Sequence, residues 1–134
     1  MTKQTITIDG ACFETLTQFF AHFQEQALDR AWGHNLDAFN DVLRGGFGTP
    51  EDGFILRWRN HHLSRSRLGH AETARVLRAR LQTCHASNSE IVRQALAQAE
   101  ASEGETVFDT LVTIIQRHGP GGREQEDGVQ LHLD

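Results

Sequence analysis

A chain of 134 residues is long enough for one self-sufficient core, and its 38% apolar and 23% charged residues are those of an ordinary folded domain. That composition excludes a disordered or fibrous chain, and no run approaches the ~18 apolar residues that a membrane helix needs. The net charge of −5 is unevenly divided: residues 1–56 carry three basic and eight acidic side chains, 57–93 eight and two, and 94–134 two and eight.

In chain order, Thr5-Ile6-Thr7-Ile8 alternates before the turn pair Asp9-Gly10 and reads as a strand. Met1-Thr2-Lys3-Gln4 leads into it without an apolar leader, so the expected location is the cytoplasm. In that reducing compartment Cys12 and Cys84, which lack metal or redox spacing, are expected as small buried apolar residues. Thr15-Leu16-Thr17-Gln18 has capping-box spacing, and Leu16, Phe19, Phe20 and Phe23 form one stripe, which predicts a helix to about Leu28 with its phenylalanines in the core.

A short second helix is predicted from Asn35, as side-chain cap, to Leu43, with Leu36, Phe39 and Leu43 inward and Gly45-Gly46 ending it. Phe54 to Trp58 is a continuous apolar run, expected as a strand covered on both faces. Helices follow over Asn60 to Leu68 and over Ala71 to about Cys84, the latter with Val76, Leu77, Leu81 and Cys84 inward and Arg75, Arg78 and Arg80 outward. Ser87-Asn88-Ser89-Glu90 reads as a capping box for a helix to about Ala101, with Ile91, Ala95 and Leu96 inward. Thr106 caps the last helix, whose Phe108, Leu111, Val112 and Ile115 repeat until Gly119-Pro120, and Val129 to Leu133 alternates as an edge strand. The expectation is a single α/β domain over 1–134, with a small three-stranded parallel sheet joined by helical crossovers.

The stretch that this pattern leaves unexplained is the outer face of the second helix. Asp37 gains roughly 0.3–1 kcal/mol from the positive helix end, but Asp41, four residues on, repels Asp37 and has no such compensation. An acidic first segment suits a basic partner and repels phosphates, so nucleic acid is not expected there. The run Trp32-Gly33-His34-Asn35-Leu36-Asp37-Ala38-Phe39-Asn40-Asp41 resembles the barstar family, intracellular protein inhibitors of secreted guanyl-specific ribonucleases. The opening strand and helix, Trp58-Arg59 ending the next strand, and a final helix and strand support the resemblance. About His70 to Gly104 has no counterpart in the small members and is expected as inserted helices.

The resemblance implies a non-enzymatic ribonuclease inhibitor, an immunity or antitoxin protein, with a basic ribonuclease as its partner and no cofactor. Asp37 and Asp41 would then stand where the enzyme grips a phosphate, as rigid acceptor-only groups. Asn40 and His34 would fill the contact surface, Trp32 and Gly33 would shape the loop, and Ala31 and Arg44 would flank it. The chain departs from the family where an adjacent aromatic becomes Ala31, where an aromatic within the helix becomes Asn40, and where an acid of the last helix aligns near Arg117. These changes point to a different target.

Other candidates are weaker. His61-His62 with His70 lacks a completing cysteine or carboxylate, so no metal site is expected, and His85 beside Cys84 lacks the context of a nucleophile and base. The rival function is a nucleic-acid-associated module using Arg57, Arg59, Arg65, Arg67, Arg75, Arg78 and Arg80, the Arg-rich 57–80 segment. Acidic tracts on both sides in sequence can neutralise these arginines within the fold, so internal salt bridges or a solvated face are the expected reading.

Overall fold

The computed structural model describes residues 3–30, 32–45 and 47–134. In chain order its elements are β1 (Thr5–Asp9), α1 (Leu16–Ala27), α2 (Leu36–Val42), β2 (Phe54–Arg59), α3 (His61–Arg67), α4 (His70–Thr83), α5 (Ser89–Glu100), α6 (Val107–Arg117) and β3 (Val129–Leu133). Short 3₁₀ turns cover Gly10–Cys12, Ala86–Asn88 and Gln125–Asp127. The three strands form one parallel sheet in the order β1-β2-β3, so β2 is central. This is the small parallel α/β sheet of the barstar type.

The register places Ile6 beside Leu56, Ile8 beside Trp58, and Phe54 beside Val129, all on one buried face. The opposite face of β2 carries Arg57 and Arg59 in solvent, with Ile55 half-buried. The expectation that β2 would be covered on both sides is therefore corrected. A three-stranded sheet with its core on one face buries alternate residues, and the unbroken apolar run ends where Arg57 must point outward.

On the buried face Trp58 meets Phe13, Phe19 and Phe108 at ring separations of 6.1, 5.5 and 5.3 Å, and its indole N–H donates to Ser64 Oγ at 3.0 Å. Phe19 and Phe23 in turn pack edge-on against Phe39 of α2, at 5.4 and 5.1 Å. The phenylalanines of α1 thus join α2 to the sheet. At the end of β1 the chain passes so close to α3 that a Cβ on Gly10 would lie 2.4 Å from both Asn60 O and Ser64 Oγ. Only glycine fits there.

α4 and α5 pack chiefly on one another, and their inward faces differ from the expected ones. In α4 the fully buried residues are Glu72, Thr73 and Ala74, while Val76, Leu77, Leu81 and Cys84 are only half-buried. In α5 the buried residues are Val92 and Ala99, and Ile91 is 69% exposed. Ser87 and Asn88 are drawn into the 3₁₀ turn instead of forming a capping box, so α5 starts at Ser89 and turns Ile91 to solvent. Cys12 is exposed and Cys84 half-buried, both as free thiols, which corrects the expectation of buried cysteines. Cys12 ends a surface 3₁₀ turn, with its side chain in solvent. No helix among the described residues is long and apolar enough to cross a membrane.

Candidate functional site

The local chemistry that builds α2 begins at Asn35. Its Oδ1 accepts from the Ala38 amide at 2.8 Å, and its Nδ2 donates to Gly33 O at 3.1 Å, so one side chain closes the helix start and pins the preceding loop. Gly33 suits that closure, because a Cβ there would press at 3.0 Å on Asn35 Nδ2 and at 3.1 Å on Ala38 Cβ. Phe39, Val42 and Leu43 are buried and Leu36 is half-buried, which leaves Asp37 and Asp41 exposed together on the outer face.

Neither acid is turned into the fold. Asp37 has no ion pair among the described residues and lies on the rim of two grooves. One, of about 550 Å³, runs between α2 and α4 past His34, Leu36, Arg75 and Arg80. The other, of about 280 Å³, runs towards α6 past Asn40, Glu105 and Arg117. Asp41 keeps a side-chain exposure of 64% with a single approach from Arg44 Nη1 at 3.4 Å, and Arg44 itself ion-pairs with Glu124. Glu124 foremost, with lesser effects of Asp41 and Asp127, raises the pKa of Arg44 above its ordinary value.

The remaining candidates fall into two groups. His34 is exposed in a left-handed conformation, with Nε2 2.7 Å from Gln24 Oε1. Trp32 packs against Phe20 and Phe23 at the edge of the core, and its buried indole N–H has no hydrogen-bond partner among the described residues. Ala31 lies outside the described residues. Asn40 is turned sideways rather than outward: its Oδ1 is 2.8 Å from Nε2 of His118, the fully buried residue that follows α6. The other ring nitrogen of His118 is 2.7 Å from Asp127 Oδ2 and 3.3 Å from Glu124 Oε2. An acceptor that reaches inward was not apparent from the helical spacing of Asn40. The signal that could have exposed the cluster is a histidine followed six and nine residues later by acids, His118, Glu124 and Asp127, after a glycine-rich turn.

The arginine-rich segment is dispersed by the fold. Arg57 pairs with Asp134, Arg75 with Glu72, and Arg78 with Glu100 at 3.1 Å. Arg67 donates to Gly10 O and Phe13 O at 2.9 and 3.3 Å, and Arg65 lies 4.7 Å over the Phe108 ring. The contiguous basic stretch of the sequence is thus spent largely on separate internal partners. His61, His62 and His70 do not converge either: His61 Nδ1 meets Asp134 O at 2.8 Å and His70 Nε2 meets Gly104 O at 3.2 Å.

Comparison with known proteins gives one family match, to the model described as Barstar (barnase inhibitor), over residues 3–96. The match runs from β1 through α4 and into α5. It takes in much of the stretch expected as an insertion and stops before α6 and β3. Among curated proteins the chain has no match. A match over more than half of the chain, together with the parallel three-stranded sheet, shows that this protein belongs to the barstar family.

Proposed function

We propose that the chain is a protein inhibitor of a basic ribonuclease, acting in the cytoplasm as an immunity or antitoxin protein. Members of its family are inhibitors, not enzymes, and the family description names a barnase inhibitor. The observation that carries the reading is the outward pair Asp37 and Asp41 on a side-chain-capped helix tied to the core by Phe39. Folding has already met the cost of positioning these acids, so their charge can go into binding cations of an active site. His34 adds to the contact surface, Trp32 and Gly33 hold the loop in shape, and Arg44 and Asn40 brace the helix from behind. Arg80 and Arg117, on the far sides of the two grooves that Asp37 borders, ask for acidic or neutral groups around the enzyme's basic centre.

The test is titration of the chain into a barnase-type ribonuclease and, in parallel, into an extract of the producing cell, with RNA hydrolysis as readout. Hydrolysis should fall with added wild-type chain. Asp41→Ala should weaken inhibition roughly 30-fold or more, a scale for buried interfacial charges that itself draws on the barnase–barstar complex, with little change in the urea unfolding midpoint. Undiminished hydrolysis in both samples, or equal loss of folding and inhibition in the variant, would refute the proposal.

A further inference from the structure

We infer that His118, Glu124 and Asp127 form a site for a divalent first-row transition ion, Zn²⁺ or Mn²⁺, behind α2. Their three ligand atoms, one ring nitrogen and two carboxylate oxygens, lie within 4.8 Å of one another. Nδ1 of His118 is 2.7 Å from Asp127 Oδ2 and 3.3 Å from Glu124 Oε2. Ligands held about 2.0–2.2 Å from one ion stand roughly 3 to 3.5 Å apart, so small shifts admit an ion between these three.

The proton inventory of the imidazole supplies the independent argument. Asn40 Oδ1, 2.8 Å from Nε2, can only accept, so a ring that keeps its proton on Nε2 turns the Nδ1 lone pair to the two carboxylates, and an ion takes the place of the proton that Nδ1 otherwise donates to Asp127 Oδ2. With the ring in that form three acceptors converge, and one of them, Glu124 Oε2, is buried without a hydrogen bond among the described residues. A cation at the meeting point satisfies all three at once. The surroundings match those of a ligating histidine, whose second nitrogen characteristically donates to an oxygen that fixes ring and tautomer. Glu124 is likewise oriented through its other oxygen, which accepts from Arg44. Asn40 and Arg44 both belong to α2 or its end, so the ion would brace the helix that carries Asp37 and Asp41. One imidazole with two carboxylates suits Zn²⁺ or Mn²⁺, with water completing the coordination.

The full-length chain is titrated with ZnCl₂ and with MnCl₂, calorimetrically and by thermal melting, with no ribonuclease present. About one ion per chain should bind with at least one of the two salts and raise the melting midpoint. Asp127→Asn and Glu124→Gln should each weaken binding at least about tenfold, and Asn40→Leu, which only orients the ring, roughly 10- to 100-fold. Asp127→Asn offers a donor to Nδ1, so its metal-free form should stay folded where a change at buried His118 would not. A His61→Ala/His62→Ala variant should bind as the wild type does. Failure of both salts to bind would overturn the inference and leave the contact between Nδ1 and Asp127 a plain hydrogen bond. Binding that survives both carboxylate changes would overturn it as well.

Discussion

Glu72 is the residue whose replacement most directly tests how the α4 wall of the α2–α4 groove is held. Its side chain is only 6% exposed; Oε2 accepts the Leu16 amide at 2.7 Å, and both oxygens take the Arg75 guanidinium at 2.5 and 2.7 Å. Leu16 is the first residue of α1, so its amide has no partner within its own helix, and Glu72 supplies one from 56 positions away. A hydrogen bond to a charged acceptor contributes about 1.5–3 kcal/mol, whereas half-exposed Arg75 adds only a few tenths. At roughly 3–4 °C per kcal/mol for a chain of this length, Glu72→Ala should lower the melting midpoint by about 5–13 °C. Glu72→Gln keeps an acceptor for Leu16 and should lose about half as much. Amide exchange at Leu16, followed by NMR, should accelerate in the alanine variant ahead of its neighbours in α1. A midpoint within about 2 °C of wild type for Glu72→Ala, or unchanged protection at Leu16, would refute the reasoning.

Two further outcomes follow from the same geometry. Gly10→Ala places a methyl 2.4 Å from Asn60 O and Ser64 Oγ, and because one of these is backbone, β1 and α3 must separate; a cost of about 1–3 kcal/mol should appear as a lower urea midpoint with an unchanged slope. His22 accepts from the Asp9 amide through Nε2 at 3.0 Å, and burial holds its pKa below the ordinary 6.5, against the opposing pull of Glu25 and Asp9. The unfolded chain therefore takes up the proton first, so stability should be full above about pH 6.5 and fall as the pH is lowered through the depressed folded value. The lowered pKa of Asp9, set mainly by its hydrogen bond from Asn60, acts below 3.8 and leaves this window clear. His22→Gln, which retains an acceptor, should flatten the midpoint's dependence between pH 5 and 7.5, as followed by thermal melting.

The parts of the fold that could be read in the sequence are those set by neighbours in the chain. Asn35 caps α2 through Ala38, Thr15 caps α1 through Gln18 at 3.1 Å, and Thr106 and Asp109 exchange both bonds of a capping box. Each is decided within four residues. What could not be read depends on which of several competing partners a side chain takes, some of them far along the chain. Gln18 has capping-box spacing with Thr15, yet its side chain accepts from the Glu14 amide instead. Arg75, which periodicity places on the wet side of α4, is drawn to Glu72 because Glu72 is itself claimed by the end of α1. Ile91 meets the helical period as well as Val92 does, and only the 3₁₀ turn at Ala86–Asn88 decides which of them faces α4. The same limit applies to the site. Asp37 and Asp41 were legible as an unexplained pair, but nothing near Asn40 in the chain shows that its acceptor is held by a histidine 78 residues away.

That long-range bond also gives a role to the asparagine at position 40, where the resemblance to the family implies an aromatic side chain. An aromatic side chain at position 40 would have to point outward to a partner, whereas asparagine is short enough to turn back and accept from His118. The exchange removes a large apolar contact from the exposed face and adds a polar brace behind it. Arg44 makes the same trade, reaching back to Glu124 and only brushing Asp41. On the proposed function, recognition would then rest on charge more than on aromatic burial, since Asp37 and Asp41 are directed outward. An interface of that kind is steered and screened by salt more than one anchored by a tryptophan. If the proposed function holds, the affinity for a ribonuclease should fall with ionic strength mainly through the association rate, and stopped-flow binding across a salt series would show it.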